Sequence, residues 1–248
     1  MKAMILAAGF GERLRPLTND TPKPLLKIGT KPLIQYHVER LASAGVRELV
    51  INTSWLGDQI ESFLGDGSRF GVSISWSRET EPLDTGGGIR RALPLLGSDP
   101  FLVINGDIWT NYPLASLVER EWSEEIDAHL VLVPNPEHNL KGDFTLDLQR
   151  RVRYPLESDE SVTFSGISVM RPDLFALFLS ASEKFPIRDV LAGSIKGGYV
   201  TGEVFRDTWW DIGTVERLQA LNALVSEDVF SENRVSGKEV SPVKKVDS

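Results

Sequence analysis

Four short apolar runs, spaced by segments of helical periodicity, set the fold class. KAMILA (2–7), RELVINTS (47–54), VSISWS (72–77) and FLVINGD (101–107) have the length and apolar content of buried strands. Between the first two, residues 32–44 place Leu33, Ile34, Val38, Leu41 and Ala42 at helical spacing, with Gly45 as the stop. Residues 55–64 put Leu56, Ile60, Phe63 and Leu64 on one face before GDG, and GGGIRRALPLL (86–96) reads as a helix entered through glycines. Strands alternating with helices predict a layered α/β sheet, largely parallel. In such sheets ligands bind beyond the carboxyl ends of the strands.

The pattern changes after about residue 125. DAHLVLVPN (127–135), DFTLDL (143–148) and VTFSGISVM (162–170) are strand-like with little helix between them. PDLFALFLSA (172–181) and IRDVLAGSI (187–195) read as helices, YVTGEVF (199–205) as a strand and TVERLQALNALVSE (214–227) as a helix. No linker-like stretch divides the halves. The expectation is one domain over 1–227, with 1–125 and 126–227 as its halves, and the second half an antiparallel extension of the same sheet. Residues 228–248 are polar and without period, as in a loosely ordered tail.

Charge narrows the partners. With 27 Lys+Arg against 35 Asp+Glu, the net charge of −8 argues against nucleic acid or an anionic membrane as the main partner. A small anion is still accommodated locally: residues 12–31 hold Arg13, Arg15, Lys23, Lys27 and Lys31 against only Glu12 and Asp20. The chain has no cysteine, which removes disulfides, thiolate metal sites and cysteine nucleophiles, and fits a reducing cytoplasm. The start lacks the length and cleavage pattern of a secretory leader, and no run approaches a membrane span.

The first strand runs into AAGFGERLRPLT (7–18), a phosphate-loop arrangement. Gly9 and Gly11 let backbone N–H groups turn toward an anion, and Arg13 adds a planar fork of donors. The segment is neither a Walker A loop nor the dinucleotide fingerprint, because no G-K-[ST] follows and Leu14 holds the third glycine position. Lys23 lies between Pro22 and Pro24, so it is either a solvated loop lysine or a charge held on stiff backbone. Asp107 ends an apolar strand, a place suited to a metal ligand. Asp211, in WWDIGT (209–214), is either a ligand or a turn residue ahead of a helix capped at Thr214.

The longer string LAAGFGERLRPLT followed by PKPLLKIGTKPLI resembles the signature of sugar-1-phosphate nucleotidylyltransferases, and the resemblance extends to about residue 225. It implies a three-layer Rossmann-like fold with a mixed central sheet, the antiparallel extension forming the sugar site. It also implies a glycine loop wrapped on a nucleoside triphosphate. Carried over, Leu6, Ala8, Gly9, Gly11, Glu12 and Arg13 contact the nucleotide, and Lys23 sits between the α-phosphate and the incoming sugar phosphate. The NGD aspartate, Asp107, and the W-x-D-x-G-T aspartate, Asp211, hold one Mg²⁺. Asn105 contacts the nucleotide or a metal-bound water, or is a buried strand-end amide.

RETEPLDTGGGIRRA (78–92) resembles the family's base-binding segment, with Glu79, Leu83, Asp84, Thr85 and Gly86 in the matching places. Asp84 stands where many members have glycine. Three helical glycines cost about 1 kcal/mol each against alanine, so close approach of a ligand is the expected reason for them. KGDF (141–144) and FSGIS (164–168) resemble the family's sugar segments, making Gly142, Asp143, Ser165 and Gly166, with Thr85, the candidate sugar contacts. Where many members carry a phosphate-contacting lysine in E-K-P, this chain reads RVRYPLE (151–157).

His37 and the Trp209-Trp210 pair read as packing residues. TGGGI, KGDF, TFSGIS and WWDIGT together look most like N-acetylmuramate-1-phosphate uridylyltransferases of peptidoglycan recycling, which implies UTP and N-acetylmuramate 1-phosphate as substrates. Mannose- or heptose-1-phosphate guanylyltransferases share the loop and form the alternative. A silent nucleotide-sugar-binding subunit would lack Arg13, Lys23 or an aspartate, and all four are present. The expected state is a monomer or small homo-oligomer.

Overall fold

The structure is a computed structural model describing residues 1–178 and 182–235, with side chains described as far as residue 225. Thirteen strands are present among the described residues. In chain order they are β1 (Ala3–Leu6), β2 (Lys27–Ile28), β3 (Lys31–Pro32), β4 (Glu48–Thr53), β5 (Ser73–Arg78), β6 (Phe101–Asn105) and β7 (Ile108–Thr110). The second half adds β8 (Ala128–Val133), β9 (Thr145–Leu146), β10 (Val152–Arg153), β11 (Thr163–Met170), β12 (Val200–Val204) and β13 (Trp209–Asp211). Helices are α1 (Leu33–Ser43), α2 (Gly57–Leu64), α3 (Asp84–Leu96), α4 (Ala115–Val118), α5 (Ile187–Gly197) and α6 (Val215–Val235).

Seven strands form one sheet in the order β12-β8-β11-β6-β1-β4-β5. The pairs β6–β1, β1–β4 and β4–β5 are parallel, as the alternation of strand and helix predicts. The sheet is mixed because β11 runs antiparallel to both β6 and β8. The reversal stops there: β12 pairs parallel with β8, so the extension is antiparallel only around β11.

Both faces are covered, which is why the strands are apolar throughout. Ala3, Ile5, Leu49 and Ile51 face Ile34, Val38 and Leu41 of α1 and Ile60 and Leu64 of α2. Met4, Val50, Phe101 and Val103 face Ile89 and Ala92 of α3 and Val190, Leu191 and Ile195 of α5. The two-residue alternation within each strand thus feeds two cores. A third cluster joins Leu14, Ile28 and Leu33 to Ile212, Leu218 and Leu221, so α6 packs on the segment that follows the glycine loop. Asn222 of α6 fastens it, donating to Lys27 O at 3.1 Å and accepting from Gly29 N at 2.7 Å.

Two sequence expectations change. The helix expected over 172–181 is a 3-10 segment over Pro172–Phe178, and residues 179–181 lie outside the described residues. Helix α6 continues to Val235, past the expected end at 227, because no glycine or proline interrupts it before Gly237. The remainder of the expected tail, 236–248, lies outside the described residues. Among the described residues no helix is long and apolar enough to cross a membrane.

Candidate active site

The carboxyl ends of β1, β4 and β6 meet in register, Leu6 beside Asn52 on one side and Asn105 on the other. Above this edge lies a cleft of about 530 Å³, walled by the glycine loop, Lys23, the segment after β5 and the residues after β6. Leu6, Ala8, Gly9, Gly11, Glu12, Arg13, Lys23, Glu79, Asp84, Thr85, Asn105 and Asp107 all line it.

The loop is held from behind. Gly11 has φ of 65°, and a Cβ there would fall 2.9 Å from Thr18 Cγ2 and 3.2 Å from Lys23 Cβ. Only glycine allows both the left-handed turn and that approach of Lys23. The Thr18 hydroxyl donates to Gly11 O at 2.8 Å, and Leu14 of the 3-10 turn Glu12–Leu14 is buried in the third cluster. A Cβ on Gly9 would meet nothing within 4 Å, so the loop's other glycine faces open space. Arg13 is exposed beside it.

The opposite wall is a buried polar pair. Asn52 donates to Glu79 Oε1 at 2.7 Å and accepts from Ala7 N at 2.8 Å, tying three strand ends together. Glu79 Oε2 accepts from Leu83 N at 2.9 Å. Burial raises the Glu79 carboxyl above its ordinary range, opposed by those hydrogen bonds. Asp84 has φ of 62°, the left-handed region where glycine is at ease; aspartate tolerates it better than most residues. Its carboxylate accepts from Thr85 N at 2.6 Å.

The three glycines that follow have a different purpose from the one expected. Gly86 N and Gly87 N both donate to Phe185 O, at 3.0 and 3.1 Å. A Cβ on Gly86 would lie 2.6 Å from the Phe185 ring, and one on Gly87 would collide with Glu183 O. A Cβ on Gly88 would lie 2.8 Å from both Asn52 and Glu79. The close approach is by this chain's own 183–185 segment and by the polar pair. Gly86 is therefore a packing residue, its N–H already bonded, and it does not line the cleft.

A hairpin-like pairing joins the backbones that carry the two aspartates; Asp107 lines the cleft, and Asp211 is not among its lining residues. β13 runs antiparallel to β7 with Asp211 opposite Ile108, and Ile212 N donates to Asp107 O at 2.8 Å. Each carboxylate has a basic neighbour. Lys23 Nζ donates to Asp107 Oδ2 at 2.7 Å. Arg217 pairs with Asp211 Oδ1, and His138 Nε2 is 3.3 Å from the same oxygen. Gly106 lets β6 turn here, since a Cβ would lie 2.5 Å from Leu6 O.

Of the sugar candidates Thr85 lines the cleft, whereas Gly142, Asp143, Ser165 and Gly166 lie outside its lining, on or beside β11. Gly142 is left-handed at φ 60°, where a Cβ would lie 2.7 Å from Asn135 Oδ1 and 2.9 Å from Ser161. Asp143 accepts from Phe164 N at 2.8 Å and Asn139 Nδ2 at 3.2 Å, which makes it a turn builder. Gly166 sits in a bulge of β11, and a Cβ there would lie 2.7 Å from Asn105 Nδ2. It thereby brings the second half of the chain against the end of β6. At Ser165 the bulge turns the hydroxyl into the sheet, donating to Val131 O at 2.7 Å, so the side chain faces the core.

His37 is buried, and the tryptophans pack as expected: Trp209 donates to Ser165 O at 2.9 Å and Trp210 joins the third cluster. Sequence reasoning missed Asn52, Phe10, Pro82, Gly106 and Gly213 in the lining. Asn52 had a signal, an amide at the end of an apolar strand that is in register with Leu6. It also missed His138 and Arg217, whose meeting depends on a contact across 79 residues.

Comparison with known proteins agrees with this geometry. Over 227 residues the chain is 48% identical to an N-acetylmuramate alpha-1-phosphate uridylyltransferase of Neisseria meningitidis serogroup B, covering 90% of this chain and 98% of that one. It is 35% identical to a mannose-1-phosphate guanyltransferase of Yarrowia lipolytica, covering 86% of this chain but 61% of the longer relative. In structure it matches a putative glucose-1-phosphate thymidylyltransferase from Bacillus anthracis with a TM-score of 0.80 at 26% identity, covering 90% of this chain and 94% of that one. The family model described as "Nucleotidyl transferase" matches residues 2–228, and the chain belongs to that family.

Proposed function

We propose that this enzyme transfers a uridylyl group from UTP to N-acetylmuramate 1-phosphate. The observation that carries the reading is the Lys23–Asp107 pair, set at the rim of a cleft whose other wall is the glycine loop. The 48% identical uridylyltransferase, matched over nearly its whole length, supports the choice of base and sugar.

A phosphate oxygen of the sugar 1-phosphate attacks the α-phosphorus of UTP. The bond from that phosphorus to the β-bridging oxygen breaks, and pyrophosphate leaves. The attacking phosphate is already an anion, so no general base and no covalent enzyme intermediate are needed. The difficulty is the repulsion between two polyanions, and the protein's task is to neutralise and align them. Gly9, Gly11 and the Glu12–Leu14 turn offer backbone N–H groups to the triphosphate, and Arg13 adds a charged fork for the departing pyrophosphate. Lys23 supplies charge at the α-phosphate, where it stabilises the transition state. Asn52 and Glu79, locked to each other, give the uracil a rigid polar wall.

Asp107, in the turn between β6 and β7, and Asp211, on β13 paired with β7, offer two hard carboxylates. Among the described residues there is no group of three or more His, Asp or Glu placed to hold a metal, and the reading takes these two carboxylates as the protein's ligands. That set fits Mg²⁺, which takes its remaining oxygens from phosphate and water. Such an ion would neutralise charge shared by the two phosphates.

The test is pyrophosphate release from UTP, GTP, dTTP and ATP, each with N-acetylmuramate, N-acetylglucosamine, glucose and mannose 1-phosphates. The reading expects the fastest turnover with UTP and N-acetylmuramate 1-phosphate. Preference for GTP and mannose 1-phosphate would transfer the assignment to the guanylyl reaction.

A further inference from the structure

Two phosphates must be held at the reacting centre, and the basic side chains among the cleft's lining residues are Arg13 and Lys23, which the reading above assigns to the pyrophosphate and the α-phosphate. The basic stretch after β9 does not fill the gap. Arg153 pairs with Asp147 at 3.8 Å, and Tyr154 turns its ring to Phe144, 5.9 Å away.

Two further donors come from separate elements, the Arg217 guanidinium and the His138 ring. Arg217, in the first turn of α6, lies over Gly213, where a Cβ would collide with the guanidinium. Gly213 itself lines the cleft, so the guanidinium packs against a residue of the lining. The side chain reaches both Asp211 and His138. His138 comes from the sugar half, on the 3-10 turn Glu137–Asn139. That turn is built rigidly: Asn139 donates to Asp143 and Thr163 at 3.2 Å, and Gly142 N donates to Asn139 O at 3.0 Å. The KGDF segment thus holds His138 against Asp211.

We propose that Arg217 and His138 form the subsite for the phosphate of the sugar 1-phosphate. This rests on the nucleotidyl-transfer reading and deepens it. Each aspartate then has its own cation, Lys23 on Asp107 and Arg217 on Asp211, one for each reacting phosphate. A charged, forked donor suits a phosphate better than a lysine point charge.

The test is steady-state kinetics of the full chain at saturating Mg²⁺, comparing wild type with Arg217→Met, Arg217→Lys and His138→Ala. Substrates are UTP with N-acetylmuramate or N-acetylglucosamine 1-phosphate. Loss of a charge-assisted contact should raise the KM for sugar phosphate about tenfold or more in Arg217→Met, with partial recovery in Arg217→Lys. The KM for UTP should stay within about twofold, and both sugars should suffer alike. His138 is on an exposed turn, so His138→Ala keeps the test valid if Arg217→Met folds poorly. The proposal is overturned if sugar-phosphate KM is unchanged, or if UTP KM rises equally. It also fails if only the Mg²⁺ midpoint moves, which would make Arg217 an orienting partner of Asp211. A loss confined to N-acetylmuramate would assign the pair to the lactyl carboxylate and refute the phosphate subsite. Wild type inactive with every sugar phosphate would refute the parent reading and this subsite with it.

Discussion

Lys23 Nζ and Asp107 Oδ2 are 2.7 Å apart although 84 positions separate them in the chain. The lysine is the more enclosed partner, its side chain 12% exposed against 42% for the aspartate. A solvated loop lysine would not be so placed. The pair joins the loop after β1 to the end of β6 and, in the proposed reaction, sets a positive charge where the two phosphates meet.

Lys23→Ala should therefore leave the fold intact and lower turnover by about 100- to 1,000-fold, the scale of losing one transition-state donor. Circular dichroism checks the fold and pyrophosphate release checks the rate. Retention of more than about a tenth of wild-type turnover would show that another cation serves the α-phosphate.

Asp107→Asn and Asp211→Asn should each shift the Mg²⁺ titration of activity to much higher concentration, because amide oxygens carry no charge toward a hard cation. A titration that overlays the wild-type curve would remove that aspartate from the ligand set.

Gly86→Ala tests whether the glycines serve packing. The added methyl would sit 2.6 Å from the Phe185 ring and 2.9 Å from its carbonyl oxygen. Overpacking of this kind costs about 1–3 kcal/mol, or roughly 2–10 °C in Tm for a domain of this size. The thermal midpoint should fall in that range. An unchanged midpoint with a raised KM for UTP would return Gly86 to the ligand.

His37 predicts a pH effect on stability. It is buried under Asp107 and Ile108, and desolvation lowers its pKa from 6.5 to about 4. The folded state therefore binds fewer protons than the unfolded chain between those values, so stability falls as pH drops through that window. The full effect is about 3 kcal/mol. Denaturant unfolding at pH 7, 5.5 and 4 should show it, and His37→Phe should lose less stability on acidification. Equal losses would show that other groups control acid unfolding.

The first half of the fold was legible because its helices and strands have clean periods and its loop has a specific chemical pattern. What was not legible depends on distant partners. The purpose of Gly86 and Gly87 lies in the 183–185 segment, about a hundred residues away in sequence. Ser165 reads as a sugar contact until a bulge turns it inward. His138 and Arg217 carry no motif at all, and only folding brings them to Asp211. Asp84 is the converse case: an aspartate in a glycine's place was visible in sequence, and its left-handed φ of 62° explains the place.

The most direct test of the account is a diffraction structure grown with UTP and Mn²⁺, with the metal located by its anomalous signal. The account predicts an anomalous peak shared by Asp107 and Asp211, the triphosphate lying along Gly9–Arg13, and Lys23 turned from Asp107 toward the α-phosphate. Nucleotide bound elsewhere, with no peak at either aspartate, would contradict it.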